Sequence, residues 1–533
     1  MRVRQTIRSL TSRPSYSVAA VLTMAIGLAA TTAVVAVARA VLLRPLPYPK
    51  PEGLYRVNAS RLGADGVATP FVLSPIEFDR LRVRARTLEQ VEAFSPSEMA
   101  MSLGAEPETL KVGAVSAGFL RLFGLRPLLG RDFTGDEDAQ RLPVAIVDGN
   151  AWASRFNRDP NVVGRTIRLD GAPYVVIGVS PEGFRPLLQT VDLWVPLGAK
   201  EDPARAMLRN LIVTSRLAKD RTPTQAREEI AGIEEQTARD YPDSHSNTTI
   251  VLTDLREALY GPYRPALLLL VAAVGALLLI ACTNVANLSL TRVAERRGEF
   301  ALRASLGASR ASIVRHQLGE TAVICACGAA AGTLLVFWAM PAILSVYPAA
   351  LPADAVVRID LRAAALMIGI VAAAALTAGI VPAVRASASS ESSVLAESSS
   401  RQLGNSRDTR WHQVLIAAQL AMSLALLGAA AMVATSIQRL NQTDPGFDAT
   451  NVLTLQLAPP ARYPDARARA NFLERVLAKI AEIPDVATAG STQTTFELNN
   501  TMTTRLVVEG QETDIARAPQ ANIRHVTPGY FDA

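Results

Sequence analysis

Five stretches of the chain run apolar for more than twenty residues with no charged side chain inside them: Val18–Ala38, Leu267–Leu290, Ala322–Tyr347, Ala363–Val384 and Val414–Ala434. At a helical rise of about 1.5 Å per residue, each can cross a hydrocarbon core of about 30 Å. Helices buried in a soluble core rarely run so far without a charge, so the pattern predicts five transmembrane helices. With flanking residues they occupy 18–43, 265–290, 321–347, 363–384 and 413–435.

Between the spans the pattern changes period. Thr166-Ile-Arg-Leu169, Asp170-Gly171 and Tyr174–Val179 read as a β-hairpin with a two-residue turn. Thr222-Pro223-Thr-Gln225 opens a helix to about Arg239, with Pro at the first helical position and Gln where a capping box places it. Segment 44–263 is therefore an α+β domain, long enough for its own core and without a cysteine. All three cysteines, Cys282, Cys325 and Cys327, lie in spans and read as small packing residues.

Charge placement sets the topology. Arg2, Arg4, Arg8 and Arg13 precede the first span; Arg292, Arg296, Arg297, Arg303, Arg310 and Arg315 lie in 291–320; Arg385, Arg401, Arg407 and Arg410 lie in 385–412. Positive flanks mark the cytoplasmic side. The N-terminus (1–17), 291–320 and the Ser-rich linker 385–412 are then cytoplasmic, while 44–263, a loop at 348–361 and 436–533 are outside. The first apolar run exceeds a secretory signal core and reads as an uncleaved anchor. Composition agrees: 49% of the 533 residues are apolar and 19% charged, and the net charge of +6 matters mainly through where the arginines sit.

The chain also repeats itself. Val115-Ser-Ala-Gly-Phe119-Leu returns as Val526-Thr-Pro-Gly-Tyr530-Phe. In each unit a span is followed by a strand-like run (Leu54–Ala59; Asn451–Ala458) and a helix containing Phe78 or Phe472. A duplication is expected, with 436–533 a partial second domain. A complete pair of units would need roughly 800 residues.

The most specific motif follows the second span: Asn284-Val-Ala-Asn287, then Glu299-Phe300-Ala-Leu-Arg303-Ala-Ser-Leu306-Gly307-Ala308. It resembles the membrane subunits of the MacB/FtsX superfamily of ABC transporters, in which Ile usually stands at the position of Phe300. Leu43–Pro49, Val163–Leu169, Asp192–Pro196 and Asp444–Phe447 carry the resemblance along the chain, toward duplicated permeases without a fused ATPase. The resemblance implies a helical membrane bundle with a MacB-like periplasmic core domain, in a bacterial inner membrane with the N-terminus cytoplasmic. It further implies that Glu299, Phe300, Arg303, Leu306, Gly307 and Ala308 form a coupling segment docking a separate ATP-binding subunit. By spacing alone, Phe300, Leu302, Leu306 and Ile313 would make one apolar stripe, with Arg303, Arg310 and Arg315 available to lipid phosphates.

The chain has no Gly-x-x-x-x-Gly-Lys-Ser/Thr run, so ATP is expected on the partner and no cofactor, metal or catalytic residue in this chain. That differs from MacB proper, where a nucleotide-binding domain precedes the first span. Gly328 and Gly332 form a Gly-x-x-x-Gly pair suited to close helix packing, and Asn284, Asn287 and Gln419 should face other helices. The expected function is mechanotransmission and efflux at the outer face of the cytoplasmic membrane, with membrane lipid and an ATPase as partners, a periplasmic adaptor or outer-membrane channel as a further candidate, and no nucleic acid. The alternatives are an FtsX-like signalling subunit controlling a cell-wall hydrolase, and a membrane-anchored enzyme or receptor that works without an ATPase.

Overall fold

Each apolar run becomes a helix in the computed structural model, which describes residues 14–42, 45–62, 68–102, 108–202, 208–245, 248–296, 298–299, 302, 309–346, 361–392, 406–442, 451–455, 457, 466–492, 502–506 and 520–532. Its longer helices are α1 (Pro14–Leu42), α2 (Pro75–Arg84), α3 (Pro223–Asp240), α4 (Arg264–Glu295), α5 (Arg310–Val346), α6 (Leu361–Ser392), α7 (Ser406–Gln442) and α8 (Ala466–Ala481). The chain divides into a helical unit, residues 1–44 and 262–446, and a second unit, residues 45–261 and 447–533.

In the helical unit, α1, α4, α5, α6 and α7 are long and apolar enough to cross a membrane. Apolar residues at four-residue spacing line the contacts, alanines among them: Ala20, Met24 and Leu28 of α1 meet Ala281 and Val285 of α4, Ile324 of α5, and Ala374 and Ala378 of α6. Such spacing puts side chains on one helical face and lets the backbones approach. The Ser-rich stretch differs from its sequence reading. Its start is helical to Ser392 as the end of α6, and the chain is helical again from Ser406. Ala383, Ala386 and Ala388 are strong helix formers and favour continuing the helix begun in the span.

The second unit is built on a mixed sheet of strands β1 (Leu54–Leu62), β2 (Ala68–Phe71), β3 (Leu88–Ser102), β4 (Glu108–Val115), β5 (Leu129–Gly130), β6 (Val144–Val147), β7 (Thr166–Leu169), β8 (Ala172–Val179), β9 (Leu193–Pro196), β10 (Ile212–Leu217) and β11 (Thr248–Asp254). Its order is β11-β1-β10-β3-β4-β9-β6-β8-β5, with β2 paired to β1, and β7 to β3 and β8. Central β9 is buried along its whole length, which is why Leu-Trp-Val-Pro reads as an unbroken apolar run. Phe94, Phe119, Phe123, Phe184 and Trp194 form an aromatic cluster in one core. α2 and α3 bury Phe78, Leu81, Ala226, Ile230 and Ile233 in another.

Local signals were realised closely. β7 and β8 form the expected hairpin around Asp170 and Gly171, both at positive φ. Thr222 caps α3 with a complete capping box to Gln225.

The repeated motif folds alike in both places. Ser116 N donates to Ala93 O (3.1 Å) and Ala93 N to Ser116 Oγ (2.9 Å), and the following turn is closed by Phe119 N to Ser116 O at 3.0 Å. In the later copy, Thr527 N donates to Ser491 O (2.9 Å), Ser491 N to Thr527 Oγ1 (2.8 Å), and Tyr530 N to Thr527 O at 3.1 Å. The flanking pairings, Phe94 with Val115 and Thr492 with Val526, also correspond. Nearby, β12 (Met502–Arg505) pairs antiparallel with β13 (Gln520–Ile523), and α8 carries Phe472. Of the strand expected at Asn451–Ala458, the described residues 451–455 and 457 are neither helix nor strand. In the first copy β1 is held between β10 and β11. The described residues of the later segment offer no counterpart of either, and a lone strand has no ladder to satisfy its backbone.

Candidate coupling site

The motif that follows α4 starts from a well-anchored helix end. On the last turns of α4, Ser289 Oγ lies 3.0 Å from Tyr16 Oη of α1, and the Arg292 guanidinium sits 4.7 Å from the Tyr16 ring centroid. Arg296 ends the helix, its N–H donating to Arg292 O. Its side chain donates from Nε to Glu299 Oε2 at 2.8 Å and from Nη1 to Glu320 Oε1 at 3.3 Å. Glu320, on α5, has a side chain only 3% exposed, and His316 Nε2 lies 3.6 Å from the same Oε1.

Of the residues singled out from sequence, Glu299 therefore belongs to an ion network. Phe300, Arg303, Leu306, Gly307 and Ala308 lie outside the described residues. Of the expected apolar stripe, Phe300 and Leu306 lie outside the described residues; Leu302 is exposed, and Ile313 belongs to α5 and is buried against Val293 and Ala386. The two residues do not share a buried face, because Ile313 sits in the first turn of a long helix whose start packs against α4 and α6.

The Gly-x-x-x-Gly pair is a packing feature. A Cβ at Gly328 would lie 2.7 Å from Met24 Cβ, and one at Gly332 would lie 2.8 Å from Ala25 O, so α5 meets α1 almost backbone to backbone. Gln419 Nε2 donates to Asn284 Oδ1 at 2.9 Å, tying α7 to α4. Asn287 Oδ1 finds no hydrogen-bond partner among the described residues.

Sequence reasoning passed over a buried ion cluster in the sheet unit. Glu77, in the first turn of α2, accepts from Ser74 N (2.7 Å) and from Arg209 Nη1 at 2.6 and 2.7 Å. His245 is fully buried beside it, with Nε2 3.2 Å from Ser74 Oγ and Nδ1 2.7 Å from Ser244 Oγ. The signal available was Ser74-Pro-Ile-Glu77, a capping box with Pro at the first helical position.

Glu234 of α3 faces the same cluster, buried, with neither carboxyl oxygen hydrogen-bonded among the described residues. Burial and then the Glu77 charge raise its pKa to about 8, against the opposing pull of Arg209 and Arg80. The Glu234 carboxyl is thus protonated at neutral pH in the fold but ionised in the unfolded chain. Its contribution is fully present below about pH 4.5 and is lost as pH rises through about 8. Glu234→Gln should accordingly raise stability at pH 8 by on the order of 2 kcal/mol and change little at pH 4. Thermal unfolding of the full chain across that range checks this, and an equal shift at both pH values would refute it.

Comparison with known proteins places both units. Residues 17–233 match the MacB-like periplasmic core domain, and residues 271–390 match the FtsX-like permease C-terminal domain. The macrolide export ATP-binding/permease protein MacB of Burkholderia pseudomallei is 24% identical over 306 residues, covering 54% of this chain and 46% of that protein. The MacB of Campylobacter jejuni is 26% identical over 256 residues, covering 46% of this chain and 39% of that one. The chain thus spans about half the length, or less, of these curated relatives. Among solved structures, the periplasmic region of MacB from Actinobacillus actinomycetemcomitans aligns at 16% identity over 40% of this chain and 94% of that one, with a TM-score of 0.31. With a MacB-like periplasmic core domain and an FtsX-like permease domain in one multi-pass chain, the protein belongs to the MacB/FtsX superfamily of membrane permeases.

Proposed function

We propose that this chain is the membrane subunit of an ABC-type efflux system, driven by a separate ATP-binding polypeptide that docks on the segment containing Glu299 and Leu306. The observation that carries the reading is the joining of the two family domains in one chain, with the Glu299-Phe-Ala-Leu-Arg303 motif following the span that the permease domain includes. The arginine-rich flanks support an N-terminus and coupling segment on the cytoplasmic side of the inner membrane. The sheet domain would then work outside, moved through the spans. Such transmission requires that the ATP-bound partner favour one arrangement of the permease over another.

Glu299→Ala and Leu306→Ala should each lower stimulation of ATP turnover by about tenfold while leaving membrane insertion intact. The measurement is ATPase activity of the partner with permease variants in lipid nanodiscs. Undiminished docking and stimulation with both variants would refute the assignment.

A further inference from the structure

Arg56 of β1 is a half-buried cation without an acid. Its Nε donates to Asn58 Oδ1 at 3.0 Å, and among the described residues no carboxylate pairs with it. Burial pulls its pKa down to about 10. Elsewhere in the sheet unit such a cation is satisfied. Arg80, Arg131 and Arg155 hold carboxylates, and Arg216, also depressed by burial, donates to the carbonyls of Lys50, Glu52 and Leu122. The Nη atoms of Arg56 make no hydrogen bond among the described residues. Removing a guanidinium from water without a counter-charge is costly, so its retention here calls for a ligand.

The strand register places further donors around it. Thr214 on β10 and Thr253 on β11 stand directly across from Arg56 and share its face, with about 5 Å between Cβ atoms. Thr214 is fully buried, and its Oγ1 has no hydrogen-bond partner among the described residues. Asn58, two positions along β1, gives its Oδ1 to Arg56, which leaves its amide N–H groups to donate. The acid that shares this face, Glu92 opposite Thr214 on β3, turns instead to Ser116 Oγ and to Gly118 N. Val251, opposite Asn58 on β11, is exposed, so the β11 end of the face is open to solvent.

We propose that Arg56, Asn58, Thr214 and Thr253 form a binding site for a small dissolved oxyanion, a carboxylate or phosphate group. The planar end of the guanidinium offers two parallel N–H donors, which match two oxygens of such a group. Asn58 fixes the fork through Nε, and the two hydroxyls flank it. The four residues carry no carboxylate, so a cation finds no opposite charge there. The site stands on the sheet unit alone and does not depend on an ATPase.

The test is thermal unfolding of the full chain in phosphatidylcholine nanodiscs, with sodium phosphate or sodium acetate against sodium chloride at matched ionic strength. A ligand that binds the folded state raises the midpoint with its concentration. The wild-type chain should gain an increment in phosphate or acetate over chloride, and Arg56→Met should lose it. Thr214→Val should keep the wild-type midpoint in chloride, because that hydroxyl has no partner to lose, yet need about tenfold more oxyanion for the same increment. Arg165→Gln, which removes an exposed cation, should behave as wild type. No increment in the wild type, an undiminished one in Arg56→Met, or an equal loss in Arg165→Gln overturns the site. Arg56→Lys covers a methionine variant that fails to fold: it keeps the charge without the fork, so binding weakened by about fivefold or more supports the site and unchanged binding overturns it. The same increment in phosphatidylglycerol nanodiscs keeps the ligand a solute, whereas its loss there assigns the phosphate to a lipid headgroup and overturns the dissolved ligand.

Discussion

Arg209→Ala should detach α2 and α3 from the sheet, costing about 3–5 kcal/mol, the usual penalty for breaking a buried ion pair from one side. The size follows from what remains. Glu77 has no exposed side-chain surface, and without Arg209 its charge would be left to the Ser74 donors, with His245 Nε2 at 3.7 Å. Arg209 also donates from Nη2 to Ser244 O at 3.2 Å and lies over the Phe71 ring at 4.7 Å, so truncation removes a packing contact as well. The strain would fall on the α2–α3 contact, where Phe78 and Leu81 meet Ala226 and Ile230. Hydrogen exchange on the full chain should show the amides of both helices losing protection, while β6 and β8 keep theirs. Glu77→Gln combined with Arg209→Met should lose less than Arg209→Ala, because no charge is then stranded. Unchanged protection in Arg209→Ala would show that the pair is not what holds α2.

The difference between what could and could not be read in advance is one of range. Spans were legible because lipid imposes its demand on every residue of a helix, leaving more than twenty positions without a charge. α3 was legible because Thr222, Pro223 and Gln225 act within one turn. The hairpin was legible because Asp170-Gly171 supplies the positive φ its turn needs. By contrast, Arg209 and Glu77 are 132 residues apart, and nothing near either names the other. The candidate coupling site shows the same split. Glu299 was found through its motif, but its link through Arg296 to Glu320 joins two helices and has no signature in spacing. Ile313 takes its surroundings from α4 and α6, against which the first turn of α5 packs, and no period in its own neighbourhood names Val293 or Ala386. At Asn451–Ala458 the described residues 451–455 and 457 are not strand, since a strand's existence depends on partners that its own sequence does not contain.

Replacing Gly332 by valine should separate α5 from α1 and destabilise the bundle by about 1–3 kcal/mol, with Gly328→Val acting in the same direction. At Gly332 the obstacle is main chain: an added Cβ would meet Ala25 O at 2.8 Å and Ala29 N at 3.1 Å. Backbone in a helix has no rotamer with which to yield, so α1 as a whole must move away. At Gly328 the nearest atom is Met24 Cβ at 2.7 Å, followed by Ala25 N at 3.2 Å, again close to the helix axis. Retreat of α1 would also loosen the Ala20–Met24–Leu28 stripe from α4 and pull Tyr16 from Ser289 and Arg292. A packing defect near the middle of the spans would thereby reach the helix end that carries Arg296. Gly275 and Gly369, which face open space, provide the contrast. Alanine at either should be neutral or stabilising by up to about 1 kcal/mol through helix propensity. Thermal unfolding of the full chain in lipid distinguishes the two classes, and equal tolerance at Gly332 and Gly369 would show that close approach of α1 and α5 is not what the glycine pair provides.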